Sequence, residues 1–237
     1  MQAASRLVFW QRPKDVFDGT ELLLEATDAS SRALIVAGSL SQGRPSVTVD
    51  WGDGTVDTVR GSIRNLTHEY GRKGAYRVRI SDDIRSFGYT DWSGRTAQRL
   101  MLREVVSVGK RVTDLEGYAF NNCKRLEGVV DLRNVTSIGG YAFGTTVRVT
   151  ELRMPNLTYP NETSFYSGCG ASVIRMPKAV CVPYAFFEYF GGQPTDLYLD
   201  AMTRAAVGNS AGFPFRARYP VRFHCSDGVL SSDGRYL

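Results

Sequence analysis

What this 237-residue chain has little of narrows its chemistry first. It holds two histidines and four cysteines, and none of the cysteines (Cys123, Cys169, Cys181, Cys225) forms a CxxC pair. That spacing argues against a zinc site and predicts buried thiols packing as small hydrophobes. No apolar run approaches the ~20 residues of a membrane-spanning helix, so no membrane span is expected. The first residues, "MQAASRLVFWQRPKDVF", lack a sustained apolar stretch and a small-residue cleavage site. No export signal is recognisable in the chain as given. Lysine is scarce as well: of 29 basic residues five are lysines, which leaves 24 arginines. They are dispersed and the net charge of +5 is mild, so nucleic acid is not an expected partner.

What is present is alternation. "SVTVDWGDGTVDT" (46–58) places Val47, Val49 and Trp51 on one side of an extended segment, with Thr48 and Asp50 on the other. Asp53-Gly54 between two such runs predicts a hairpin turn, since glycine supplies positive φ without strain. A calcium loop would need further oxygen ligands and a distal Glu, which do not follow. Further strands are predicted at 6–10, 20–26, 33–38 and 75–81. Tyr76, two residues after Gly74, stands where a tyrosine corner returns its hydroxyl to backbone. Short strands, Gly/Asp turns and no long helical period predict a β-sandwich over about 1–90. "VTVDWGDGT" followed by "HEYGRKGAYRVRI" resembles the PKD-type Ig-like domain, in its short form common among bacterial surface proteins. The resemblance covers roughly 46–80 and implies a spacer or binding module, with Trp51 and His68 in packing roles.

From about residue 97 the sequence repeats. Phe120, Phe143, Phe165 and Phe186, three of them in "YAF" and one in "TSF", lie 23, 22 and 21 residues apart. Short β-like segments follow, and aligned on Leu132, Met154, Met176, Leu199 and Phe223 they step by 22, 22, 23 and 24. A period of this length predicts a solenoid in which each coil is a strand, a turn and a short helical or 3₁₀ piece. The phenylalanines should form an internal column. "IGGYAFGTTVRVTELRMP" resembles the BspA-type leucine-rich repeat of bacterial surface proteins, over about 104–200. Asp200 is the expected N-cap of a short helix closed by Gly208, ahead of a final hairpin that caps the stack.

One catalytic motif matches. "GNSAG" (208–212) fits G-x-S-x-G with Ser210, but a helix is predicted before it, and Asp227 follows His224 in the wrong order. No pair of carboxylates stands out, and no enzyme, cofactor or metal is expected. A binding face is better supported. Residues one before the alignment column point outward: Asp131, Arg153, Arg175, Tyr198 and Arg222. In a parallel stack they would stand ~4.8 Å apart, so an anion or a neighbouring acid should separate the arginines. The expectation is a mainly β protein: a PKD-like β-sandwich (1–90), a connector, and a leucine-rich-repeat solenoid (97–237). Its expected work is non-catalytic adhesion, extracellular or at the bacterial cell surface, toward a host or bacterial surface protein or an acidic glycan. The alternative is a phage or prophage tail or receptor-binding component in a virion, where no export signal is needed.

Overall fold

The computed structural model describes residues 17–28, 31–90, 96–161, 163–165, 168–182, 195–210, 219–234 and 237. The strand expected at 6–10, the coil around Phe186, and Ala211-Gly212 of the G-x-S-x-G match lie outside them. The described residues are mainly β. Strands β1 (Thr20–Ala26), β3 (Ser46–Asp50), β4 (Val56–Arg60), β6 (Gly74–Ile80) and β8 (Leu102–Ser107) form one sheet in the order β4-β3-β6-β1-β8. Strands β2 (Arg32–Gly38) and β5 (Ile63–Glu69) form a separate antiparallel pair. Alternation sorts their side chains: Val47, Val49, Val78 and Ile80 are buried, and Ala33, Ile35 and Ile63 join them in one core. β5 is not readable from its sequence. Only Ile63 and Leu66 are apolar in "IRNLTHE", and it is ordered by its ladder with β2.

The turn after β3 is held from several sides. Gly52 sits at φ +81°, and a Cβ there would lie 2.5 Å from the carbonyl oxygen of Arg77, so only glycine fits. The Asp50 carboxylate accepts from the Gly52 amide at 2.9 Å. Asp53 accepts from the Thr55 hydroxyl at 2.6 Å and bonds His68 Nε2 at 2.8 Å. The His68 ring stacks on Trp51 at 4.9 Å and meets the edge of Tyr70, which itself stacks on Tyr76. Both tyrosines return to backbone, Tyr70 donating to the Trp51 carbonyl and Tyr76 to that of Arg72. Burial opposes ionisation of Asp53, yet the hydrogen bonds from Thr55 and His68 outweigh it and hold the carboxyl below its ordinary value.

The second half is a β-solenoid of about four turns. Its main sheet stacks β10 (Glu127–Asp131), β12 (Arg148–Arg153), β13 (Val173–Arg175), β14 (Thr195–Leu199) and β15 (Val221–Cys225) in parallel. β16 (Gly228–Ser231) closes it as an antiparallel hairpin. Inside runs a fully buried column, Val130, Leu152, Ile174, Leu197 and Phe223. A second parallel ladder joins β7 (Ser86–Phe87), β9 (Asp114–Leu115) and β11 (Ser137–Ile138). Phenylalanines 120, 143 and 165 do form a column, at 5.4 and 5.7 Å, and Phe87 extends it 5.9 Å beyond Phe120.

Three expectations are corrected. The corner of each described coil is a turn and not a short helical or 3₁₀ piece. Tyr118, Asn122, Tyr141 and Thr145 take φ near +60°, which interrupts any helix. The corners bond the next coil instead: the Tyr118 amide reaches the Gly140 carbonyl, the Phe120 amide that of Ala142 and the Asn122 amide that of Gly144. Gly139 permits the approach, since a Cβ there would stand 2.4 Å from the Gly117 nitrogen. The helix cap is Thr203 and not Asp200. Helix α2 (Arg204–Gly208) starts after the Leu199–Met202 turn, and the Thr203 side chain accepts from the Ala206 amide. Finally, Phe223 pairs with Leu197 and not Leu199, so the last step is 26 residues.

The two halves exchange strands. β8 hydrogen-bonds to β1, while β7, close after β6 in the chain, heads the second ladder of the solenoid. Helix α1 (Thr96–Arg99) precedes β8, and Tyr89 donates its hydroxyl to the Gln98 carbonyl. Arg103 then bridges Glu25 on β1 and Glu127 on β10, each at 3.0 Å, and Arg125 also donates to Glu25.

Candidate functional site

The outward face of the solenoid sheet carries the residues singled out by the repeat. Asp131, Arg153, Arg175 and Tyr198 do share one row, because β10, β12, β13 and β14 pair in that register. Arg222 does not. It stands opposite Asp196, one row over on the same face, and His224 takes the fifth place in the row. The cause is the long last step between coils. Alternation still turns Arg222 outward, since it lies two residues from His224 along β15.

The second row supplies what the first requires. It reads Val129, Glu151, Val173, Asp196 and Arg222 across the strands. Glu151 separates the two arginines, as the expected repulsion demands: Arg153 grips it with Nε and Nη2 at 2.9 and 3.0 Å, and Arg175 Nε donates at 2.8 Å. The Arg153 hydrogen bonds hold the Glu151 carboxyl down at about 2; those from Arg175 add to it, against a smaller opposing effect of burial. Asp196 likewise takes a forked pair from Arg222 at 2.7 and 2.6 Å and bonds His224 Nε2 at 2.7 Å. Its carboxyl is lowered chiefly by Arg222. At the other end Asp131 is paired with the exposed Arg133 at 2.5 Å.

Between these acids runs a stack. The Arg175 guanidinium lies 4.2 Å over the Tyr198 ring, and the His224 ring lies 4.4 Å away at an interplanar angle of 10°. Arg175 and His224 precede and follow Tyr198 across the sheet, so the tyrosine is covered on both sides and presents its edge and hydroxyl to solvent. The flat apolar surface a sugar ring would need is therefore not offered by Tyr198. What the face does offer is a rigid, exposed ladder of guanidinium edges and polar tips, each oriented by a neighbour.

Sequence reasoning missed Glu151, Asp196 and His224. The first two follow the same period, two residues before the chosen row, and reading that row would have found them. His224 was hidden by the irregular last coil. Elsewhere, Ser210 follows helix α2 and spends its hydroxyl on the Ala206 carbonyl at 3.2 Å. Burial raises the thiols of Cys123 and Cys169, the latter to about 11, so both are held protonated. Among the described residues no group of three or more His, Cys, Asp or Glu side chains could hold a metal ion. No helix among them is long and apolar enough to cross a membrane. Compared with protein-family models, curated proteins and solved structures, the chain matches none.

Proposed function

We propose that this chain is a non-catalytic recognition protein, extracellular or at a bacterial cell surface, that binds a surface protein or glycan through the outward face of its solenoid sheet. The observation that carries the reading is the ladder from Arg153 to Arg222. Long, exposed side chains normally keep their freedom, and ordering them on binding costs roughly 0.5–1.5 kcal/mol each. Here Glu151, Asp196 and the Tyr198 stack fix them beforehand. The interlocked Trp51–His68–Tyr70–Tyr76 turn supports the PKD-like reading of the first half, and the Phe column supports the BspA-like reading of the second. Both resemblances point to surface recognition.

The ligand class follows from the ladder's chemistry. Guanidinium edges left over from the Glu151 and Asp196 pairs suit carboxylate, phosphate or sulfate groups on an acidic glycan or protein. Because several donors are already paired, selectivity is set by the spacing of the free edges more than by net charge. The test is a glycan and host-surface binding screen on the wild type and on R153A/R175A at matched salt, with folding checked by circular dichroism. The expected result is retained folding with lost binding, and wild-type binding that weakens as salt screens charges over ~8–10 Å. Identical binding by both proteins would move recognition off this face. No binding in any screen would favour a structural part in a virion.

A further inference from the structure

The edge strands of the molecule are not treated alike. An edge offers a row of unpaired amides and carbonyls, and stable proteins break it or cover it. β5 is broken at Asn65, which takes a left-handed φ of +49°. β16 is covered where the chain end returns, Leu237 donating to the Val229 carbonyl at 3.1 Å. β2 packs against α1 and β7, while β8 and β10 lie against each other and each carries a register slip. β4 has neither remedy among the described residues. It ends its sheet and pairs with β3 alone, from Val56 to Arg60 without a slip.

The bonds at its two ends fix which backbone groups point outward. The Trp51 amide donates to the Thr55 carbonyl and the Gly61 amide to that of Pro45, so the odd-numbered residues from 55 to 61 face β3. Val56, Thr58 and Arg60 turn their amides and carbonyls away from it, and all three side chains are exposed, Val56 by 58%. Arg60 makes no ion pair among the described residues. Nor does Asp50, which bonds the Gly52 amide and stands opposite Val56 across the ladder. Both lie on the outer face of the sheet, yet Arg60 is opposite Ser46, so the two are too far apart in register to meet within one chain.

We propose that β4 joins two copies of this chain, their β4 strands pairing antiparallel about a twofold axis at Thr58. The register follows by elimination. An axis at Asp57 or Arg60 would set like charges face to face. One at Val56 or Val59 would carry the ladder past an end of the strand. At Thr58 every outward amide finds a carbonyl: Thr58 pairs with the partner's Thr58, and Val56 with the partner's Arg60. The stem of the partner's Arg60 then covers Val56, and its guanidinium arrives beside Asp50. Two charges that lack a counterion in one chain gain one in the pair. The edge is short, so the interface belongs to the small, transient class and forms by mass action. It uses nothing from the solenoid face and goes beyond the recognition reading.

The experiment is sedimentation velocity of the full chain over roughly a hundredfold range of concentration, wide enough to follow a weak self-association. Wild type should pass from monomer to dimer. Arg60→Glu sets an acid beside Asp50 at both symmetric places and should raise the dissociation constant roughly tenfold, while the exposed site leaves folding intact. Thr58→Pro removes the central donor and should leave monomer alone. Thr58→Cys should form a disulfide-linked dimer under mild oxidation that wild type does not, since paired Cα atoms at such a site stand about 5.5 Å apart. Val56→Cys, off the axis, should not. R153A/R175A should associate as wild type does, so failure of the ladder and failure of this edge are read separately. Wild type that stays monomeric throughout, undiminished association in Arg60→Glu, or cross-linking of Val56→Cys as readily as Thr58→Cys would each overturn the proposal.

Discussion

The turn around Trp51 and the coil corners at Phe120 and Phe143 both reverse the chain, by opposite means. The first uses glycine, with Gly52 and Gly54 at φ +81° and +94°, and closes on Asp50 of its own strand and on His68 from β5 in the other sheet. The coil corners place Tyr118, Asn122, Tyr141 and Thr145 in the left-handed region, which costs a non-glycine residue roughly 1–2 kcal/mol each. The amides of Tyr118, Asn122 and Tyr141 are satisfied by the following coil, and Tyr118 stacks on Tyr141 at 5.1 Å. The lesson is that the hairpin is held by side chains gathered from β5 and β6 around one turn, whereas a corner is held by the backbone of the next coil in the stack.

The largest effect should come from the column that joins neighbouring coils. Phe143 is fully buried between Phe120 and Phe165. Phe143→Ala should cost about 3–5 kcal/mol in urea unfolding. A cost no larger than a surface substitution would break the claim that stacking carries the second half.

Next is the close approach of coils. Gly139→Ala puts a methyl against the Gly117 backbone, which cannot rotate away as a side chain could. Forced separation of the coils should cost about 1–3 kcal/mol, the range of overpacked cores. A matched Gly71→Ala, outside the left-handed region and with open space around it, supplies the same substitution without the clash. Equal losses in the two variants would show that the close packing of coils adds nothing.

The same comparison explains what the sequence made legible. The Phe column, the strands β1 and β6, and the Asp-Gly hairpin could all be read, because each expresses a local period or a residue with one conformational use. β5 could not, since its order comes from pairing with β2 and not from its own polar pattern. Nor could the exchange of β7 and β8 between halves, which depends on edges meeting in space. At the candidate site four of the five chosen residues share a row; the fifth, Arg222, was misplaced because the last coil breaks the period. Periodicity finds which residues align, and it is silent on insertions and on which neighbour neutralises which.

A smaller effect tests the hairpin. Tyr70 is buried and donates to the Trp51 carbonyl at 3.1 Å. Tyr70→Phe leaves that carbonyl unpaired and should cost about 1–2 kcal/mol. Burial raises the Tyr70 phenol above its ordinary 10.0, so its contribution is whole below about that pH and is lost as pH climbs toward the raised value. Wild type should thus lose stability in strong alkali faster than Tyr70→Phe. Parallel losses would assign the alkaline response elsewhere.

The smallest effect concerns the ladder, where charge and not packing is at stake. Glu151→Gln removes the acid between Arg153 and Arg175 at an exposed site, and exposed pairs contribute no more than about 1 kcal/mol. The stability change should sit within that limit, while the titration should be plain. The folded carboxyl is held at about 2 against an ordinary 4.5, so the contribution is complete above 4.5 and fades as pH falls toward 2. Carboxyl ¹³C shifts in the folded protein should give a Glu151 midpoint near the lower value in wild type. Arg153→Ala should raise it part of the way, since Arg175 still donates, and R153A/R175A should return it to the ordinary range. A Glu151 that titrates normally in wild type would mean the guanidinia are not held in place, and the ladder would lose the preorganisation on which its proposed recognition depends.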